Sequence, residues 1–183
     1  MKKTTRMLAE GGICLALALA LSYLKIPVAA LGGSIDFVMV PLIVFAWRWG
    51  LGWGIGLGFA FGTLKFFLAG GVAVNWESML LDYSVAYAFV GLAGLCKGKK
   101  WGLPVGAVLG CIGRFAIHFL SGVTIYAEYA EGTADFFGAS VATPGAVLYS
   151  LVYNAAYMLP NTVIAIVICC LLAYPLSRLK KPE

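Results

Sequence analysis

From Pro144 to Leu176 the chain runs without a single acidic or basic side chain. An α-helix needs roughly 20 apolar residues to cross the hydrocarbon core of a bilayer, and this stretch exceeds that. Similar runs recur along the sequence. Apolar residues make up 62% of the 183 and charged residues only 11%, against about half and about a quarter in a soluble domain. The runs are rich in Gly and Ala and do not alternate polar with apolar positions, which argues against a β-barrel. The expected fold is therefore all-α: an integral membrane protein forming one transmembrane domain over residues 1–183, a compact bundle of six helices. Spans are expected at about Met7 to Ile26, Ile35 to Trp49, Gly50 to Leu68, Ser78 to Cys96, Leu103 to Val123 and Pro144 to Leu176. Only Trp47-Arg48-Trp49-Gly50 separates the second from the third. No small-residue cleavage site follows Leu21-Ser22-Tyr23-Leu24-Lys25, so the first segment reads as a helix and not as a removed signal.

Basic residues set the orientation. With the N-terminus inside, the cytoplasmic ends carry Lys2, Lys3, Arg6, Arg48, Lys97, Lys99, Lys100, Arg178, Lys180 and Lys181, ten of the thirteen Lys and Arg residues. Both termini are then cytoplasmic, as an even number of spans requires. The net charge of +5 reads as a topology signal and not as a nucleic-acid surface. The segment from Tyr126 to Pro144 holds Glu128, Glu131 and Asp135 without a basic residue. It falls outside, where it either concentrates cations at an external mouth or is simply a solvated loop.

Against this apolar background a few polar groups stand out: Asp82 and Tyr83 in the fourth span, Arg114 and His118 in the fifth, Tyr149 and Asn154 in the sixth. Ionisable side chains within a bilayer are costly and mark a protein interior or a cavity, so they are candidate functional groups. At about 1.5 Å per residue, Asp82 and Tyr149 fall one turn below the outer boundary, with His118 and Asn154 at similar depth. Arg114 lies one turn beneath His118 on the same helix face. A fixed negative charge, the aromatic faces of Tyr83, Tyr126 and Tyr149, and directional hydrogen bonds from His118 and Asn154 suit a flat heteroaromatic cation. The alternative is an Asp82–Arg114 ion pair that stabilises the bundle, with His118 and Asn154 as interhelical hydrogen bonds.

Other residues point to packing. Cys14, Cys96, Cys111, Cys169 and Cys170 show no CxxC spacing, and His118 has no metal-spaced partner, so no metal and no cofactor is expected. Gly50, Gly54, Gly58 and Gly62 recur every fourth residue, as do Gly12, Ala16 and Ala20. Such small-residue faces let helices approach closely in lipid. The glycine ridge is expected to pack within the bundle, whereas the first-span ridge suits either packing or an intermolecular docking face.

The motifs LLDYSVAYA at Leu80 to Ala88, RFAIHFLSG at Arg114 to Gly122 and YSLVYNAAYMLP at Tyr149 to Pro160 occur in this order. In these motifs, and in its length and span count, the chain resembles the thiamine-specific substrate-binding (S) components of energy-coupling factor vitamin transporters, over essentially its whole length. The resemblance implies a single substrate-binding membrane domain that captures thiamine from outside. It implies that Asp82 contacts the thiamine cation, that His118 packs on and hydrogen-bonds the ligand, and that Tyr149 and Asn154 meet the aminopyrimidine end. Some members of that family stack a tryptophan on the thiazolium where this chain has Tyr126, a weaker cation-π face. Some also carry an aromatic residue in the loop after the first helix, where this chain reads Leu31-Gly32-Gly33-Ser34.

No GxxxxGK[ST] phosphate loop is present, so ATP hydrolysis falls to partners. The resemblance names them as a transmembrane coupling subunit and two cytosolic ATPases, with docking at the first-helix face of Gly12, Ala16 and Ala20. It assigns no catalytic residue and no enzyme activity. Two alternatives stand beside this reading: the same fold with another vitamin or heterocyclic cation, and an intramembrane enzyme using Asp82 and His118 as a catalytic pair. Arg114 is assigned to structural support of Asp82.

Overall fold

The computed structural model describes residues 2–28, 33–99, 101–130 and 132–178. Among the described residues six helices form the bundle: α1 (Lys3–Leu21), α2 (Met39–Trp49), α3 (Leu51–Leu68), α4 (Trp76–Cys96), α5 (Gly102–Thr124) and α6 (Ala146–Ser177). All but α2 are long and apolar enough to span a membrane. At 11 residues, α2 reaches only about 16 Å at 1.5 Å per residue, half of a hydrocarbon core of roughly 30 Å. It compensates by being the central helix: Met39, Leu42, Ile43, Phe45 and Ala46 are all buried. Large apolar residues such as Ile13, Trp53, Phe67, Ile112, Val163 and Leu171 instead lie exposed on the other helices, as a lipid-facing surface requires.

The expected second span starts late and the expected first span ends early, for one reason. Ile26–Pro27 (β1) and Ser34–Ile35 (β2) pair as a short antiparallel hairpin, which takes the backbone groups that a longer α1 or α2 would have used. At the other end α1 begins at Lys3, ahead of the apolar run, and Arg6 bonds Glu10 one turn on at 2.9 Å. The Leu31-Gly32 part of the loop, together with Lys100, Glu131, Lys180 and Lys181, lies outside the described residues.

The glycine ridge packs within the bundle. A Cβ at Gly58 would overlap the Tyr87 carbonyl, and one at Gly62 the Tyr83 carbonyl, so α3 lies with its backbone against α4. Gly50, at φ +100°, breaks α2 from α3. Helix α4 is irregular: it opens with an Asn75–Ser78 capping box, widens to a π-helical turn over Leu80–Val85, and tightens to 3₁₀ over Gly91–Cys96. Between α5 and α6, Thr133–Phe136 (β3) and Ala139–Ala142 (β4) form a second hairpin, absent from the expectation of a solvated loop. Phe137 and Gly138 both adopt positive φ at its two-residue turn, and the Gly138 N–H donates to Asp135 at 2.8 Å.

Candidate functional site

A cavity of about 280 Å³ opens between α3, α4, α5 and α6 beneath the first hairpin. Asp82, Tyr83, His118, Tyr126, Tyr149 and Asn154 all line it. Five come from the ends of helices that point the same way, so antiparallel packing brings residues distant in sequence to one depth. Asp82 and Tyr83 lie within the π-helical turn, a feature often found where a helix re-aims side chains at a site.

Asp82 and His118 form a pair: His118 Nδ1 stands 3.2 Å from Asp82 Oδ1, with side-chain exposures of 11% and 14%. An ionised carboxylate only accepts, so in this pair Nδ1 carries the hydrogen. The ring's Nε2 is buried with no hydrogen-bond partner. The His118 ring meets Tyr157 edge to face, with centroids 6.0 Å apart.

Two of the expected contacts are committed elsewhere in part. Asn154 donates through Nδ2 to the Ser150 carbonyl at 2.9 Å and to the His118 carbonyl at 3.3 Å, and its Oδ1 accepts from the Tyr157 hydroxyl at 2.6 Å. The amide thus ties α5 to α6 and orients the tyrosine beneath His118. Tyr83 gives the cavity its ring, while its hydroxyl accepts from the Val72 N–H at 2.7 Å and donates to the Val72 carbonyl at 3.2 Å. Tyr126 lies beyond the end of α5, where burial pushes its phenol above the usual range and keeps it neutral.

Arg114 does not support Asp82. Among the described residues its only hydrogen bond runs from Nη2 to the Tyr87 hydroxyl at 3.0 Å, and the Asp82 carboxylate pairs with His118 instead. The Asp82–Arg114 ion pair weighed as an alternative is therefore absent. The same Tyr87 hydroxyl accepts from Lys65 Nζ at 2.6 Å, and Lys65 in turn pairs with Asp36 at 3.0 Å. Asp36 is fixed further: its backbone N–H donates to Asn161 Oδ1 at 2.8 Å, and Asn161 Nδ2 donates to the Ser34 carbonyl at 2.8 Å. A continuous buried network thus runs from the first hairpin through Asp36, Lys65 and Tyr87 to Arg114 at the cavity.

Sequence reasoning missed Lys65, Tyr87, Tyr153 and Tyr157, all of which line the cavity. Lys65 is an intramembrane charge in the run FGTLKFFL and was open to the rule applied to Asp82. Tyr149, Tyr153 and Tyr157 follow at intervals of four and form an aromatic ladder, with neighbouring centroids 5.9 Å and 6.1 Å apart.

On the outer side of α1, Gly12, Ala16 and Ala20 are all exposed, and a Cβ at Gly12 would meet nothing within 4 Å. Gly11 and Ala18 face inward, with a Gly11 Cβ 3.2 Å from the Phe45 ring. The ridge is therefore not used for packing within the bundle.

Together these features define a multi-pass helical membrane protein with a polar cavity between its helices. The fold matches that of ThiT from Listeria monocytogenes, with a TM-score of 0.80 at 22% identity over 95% of this chain and 96% of that one. It also matches the S-component for biotin from an ECF-type ABC transporter, with a TM-score of 0.67 at 17% identity over 99% and 96%. The particular family follows from sequence: the thiamine transporter protein family matches residues 8–181. The thiamine transporter ThiT of Bacillus subtilis is 31% identical over 166 residues, covering 83% of this chain and 81% of the relative. That of Lacticaseibacillus paracasei is 28% identical over 178 residues, covering 88% and 84%. The chain belongs to the thiamine transporter protein family.

Proposed function

We propose that this protein is the thiamine-binding subunit of an ECF-type importer, taking the vitamin from the outside face and delivering it with an energising module. The observation that carries the reading is the buried Asp82–His118 pair in a tyrosine-walled cavity of a chain belonging to this family. Asp82 supplies a counter-charge for the thiazolium. Tyr126, Tyr149 and Tyr153 supply π faces for a flat cation. His118 presents Nε2 to a ring substituent, and Asn154 holds His118 and Tyr157 in place. Basic residues at the opposite end of the bundle support placing the cavity at the outer leaflet.

The chain performs no chemistry on its ligand; it binds, and a transmembrane coupling subunit with two cytosolic ATPases supplies the energy. The exposed Gly12, Ala16 and Ala20 face, flat enough for another helix to approach closely, is the docking surface for that module. Calorimetry of the purified protein against thiamine, pyridoxine, riboflavin and biotin tests the ligand. Saturable heat with thiamine alone is expected. Absence of heat with thiamine at micromolar concentration, or preference for another vitamin, would overturn the reading.

A further inference from the structure

The hairpin between α5 and α6 has two chemically different faces. Its strands pair Thr133 with Ala142, Ala134 with Val141, Asp135 with Ser140 and Phe136 with Ala139. Residues directly opposite each other share a face, and successive residues alternate. One face is therefore Thr133, Asp135, Ser140 and Ala142; the other is Ala134, Phe136, Ala139 and Val141, without a polar side chain. Among the described residues the hairpin contributes nothing to the cavity lining, so ligand binding does not account for the pattern.

Protein covers only part of the apolar face. β3 packs against α6 and Ala134 near the base is buried. Cover is lost toward the tip, where Phe136 is half-buried and Ala139 is exposed. Phe137 follows at the turn with 60% of its surface exposed, its ring edge to face with that of Phe136 at 4.6 Å. It also stands at φ +54°, in the left-handed region where such two-residue turns take Asn, Asp or Gly and a bulky aromatic fits poorly. A two-stranded hairpin is marginal in water even with a favourable turn. The exposed ring and the unfavourable turn residue both point to an apolar medium at the tip.

Helix α6 supplies that medium. Large apolar residues lie exposed along its length, from Val167 and Val163 through Leu159 and Leu151 to Val147 in the first turn, so its lipid-facing surface reaches its outer end. Only three residues separate the end of β4 from the start of α6. The uncovered half of the hairpin thus sits at the outer edge of the surface that meets lipid.

We propose that the β3–β4 hairpin is an interfacial anchor, lying on the outer leaflet with Ala139, Phe136 and Phe137 at the boundary between headgroups and acyl chains. Asp135 and Ser140 face water, and the Asp135 carboxylate closes the turn by accepting the Gly138 N–H at 2.8 Å. The partner is the lipid surface itself. Amphipathic segments with aromatic residues on their apolar side bind bilayers in this way. The anchor holds the outer ends of α5 and α6 at a fixed depth, whatever ligand the cavity takes.

The experiment uses the full chain in phosphatidylcholine vesicles, with Cys14→Ser and Cys170→Ser replacing the two cysteines that are not buried. A nitroxide is attached at Ala139→Cys or at Ser140→Cys, neighbours on opposite faces. Its collision rates are measured with oxygen, which concentrates in lipid, and with a nickel chelate, which stays in water. At Ala139→Cys oxygen contact is expected to exceed nickel contact, and at Ser140→Cys the order is expected to reverse. Adding Phe137→Asn, which suits the left-handed turn better than Phe and so keeps the hairpin folded, is expected to bring the Ala139→Cys label out to the nickel chelate.

The same order at both positions would overturn the anchor: nickel contact at both puts the hairpin in water, and oxygen contact at both removes its two-faced arrangement. Shielding of the Ala139→Cys label from both reagents would overturn it as well, because protein, from this chain or a second copy, would then cover the face. So would an oxygen-rich environment that persists in Phe137→Asn, since Phe137 would not be what holds the tip in lipid.

Discussion

Two ionic clusters lie at opposite ends of this bundle, and they differ in how completely their polar groups are answered. At the end where α1 begins and α2 stops, the Glu10 carboxylate accepts from Arg6 Nε at 2.9 Å, Arg48 Nε at 2.5 Å and Trp49 Nε1 at 2.7 Å. It joins α1 to α2. At the other end Lys65, Tyr87 and Asp36 are equally well bonded, but their network ends at Arg114, whose Nε and Nη1 are buried without a partner, as is His118 Nε2 in the adjacent Asp82 pair. Buried polar groups are normally satisfied, so orphaned ones that share a cavity mark a place where something else binds. Completeness, more than charge, separates the Glu10 cluster from the one that reaches the cavity.

The largest effect is expected where the second cluster is itself structural. Lys65→Met leaves Asp36 buried and unpaired, a change that costs about 3–5 kcal/mol when a buried pair loses one partner. Denaturant unfolding in micelles measures it, and adding Asp36→Asn to the same chain is expected to restore part of the loss. Unchanged stability together with weaker thiamine binding would move Lys65 from the framework to the ligand.

Next comes Asp82→Asn, which keeps the shape and removes the counter-charge. Thiamine affinity is expected to fall by about 1.5–3 kcal/mol, roughly ten- to a hundredfold, with little change in unfolding temperature. An unchanged dissociation constant would leave the Asp82–His118 pair as a purely structural link between α4 and α5. Glu10→Gln is the matching change in the first cluster. With side chains about a quarter exposed, its loss is expected near 1 kcal/mol of stability or less, and thiamine affinity is expected to stay as it is. A shift in affinity would show that the two ends communicate, and would end the distinction between them.

How much of this could be read from residues depends on the physical level. Six apolar runs carry the bundle because hydrophobic length is a local property, and Asp82, His118 and Tyr149 stood out because charge and aromaticity in lipid are local too. The partner of each polar group is not local. Arg114 sits one turn from His118, which suggested support for Asp82, yet α4 turns Tyr87 toward it and gives Asp82 to the imidazole. Lys65 and Asp36 are 29 positions apart and meet only because α3 returns past the start of α2. The π-helical turn at Leu80–Val85 and the two hairpins likewise depend on tertiary packing, since neither Ser34-Ile35 nor Thr133 to Ala142 has the length or alternation of a strong strand.

The smallest effect on stability, and the one that separates internal packing from docking, concerns the two small-residue ridges. On α3, Gly58 and Gly62 press on the α4 backbone, so an added side chain there must displace a helix. On α1, Gly12 faces open space. Gly12→Leu is therefore expected to change unfolding free energy by no more than about 0.5 kcal/mol, as at other exposed positions, and to leave thiamine affinity untouched, since the cavity lies at the far end of α1. What it removes is the close approach of another helix. In membrane vesicles carrying the energising module, uptake is expected to drop sharply while binding persists. Wild-type uptake by Gly12→Leu would show that the module docks elsewhere, and the exposed α1 ridge would then face only lipid.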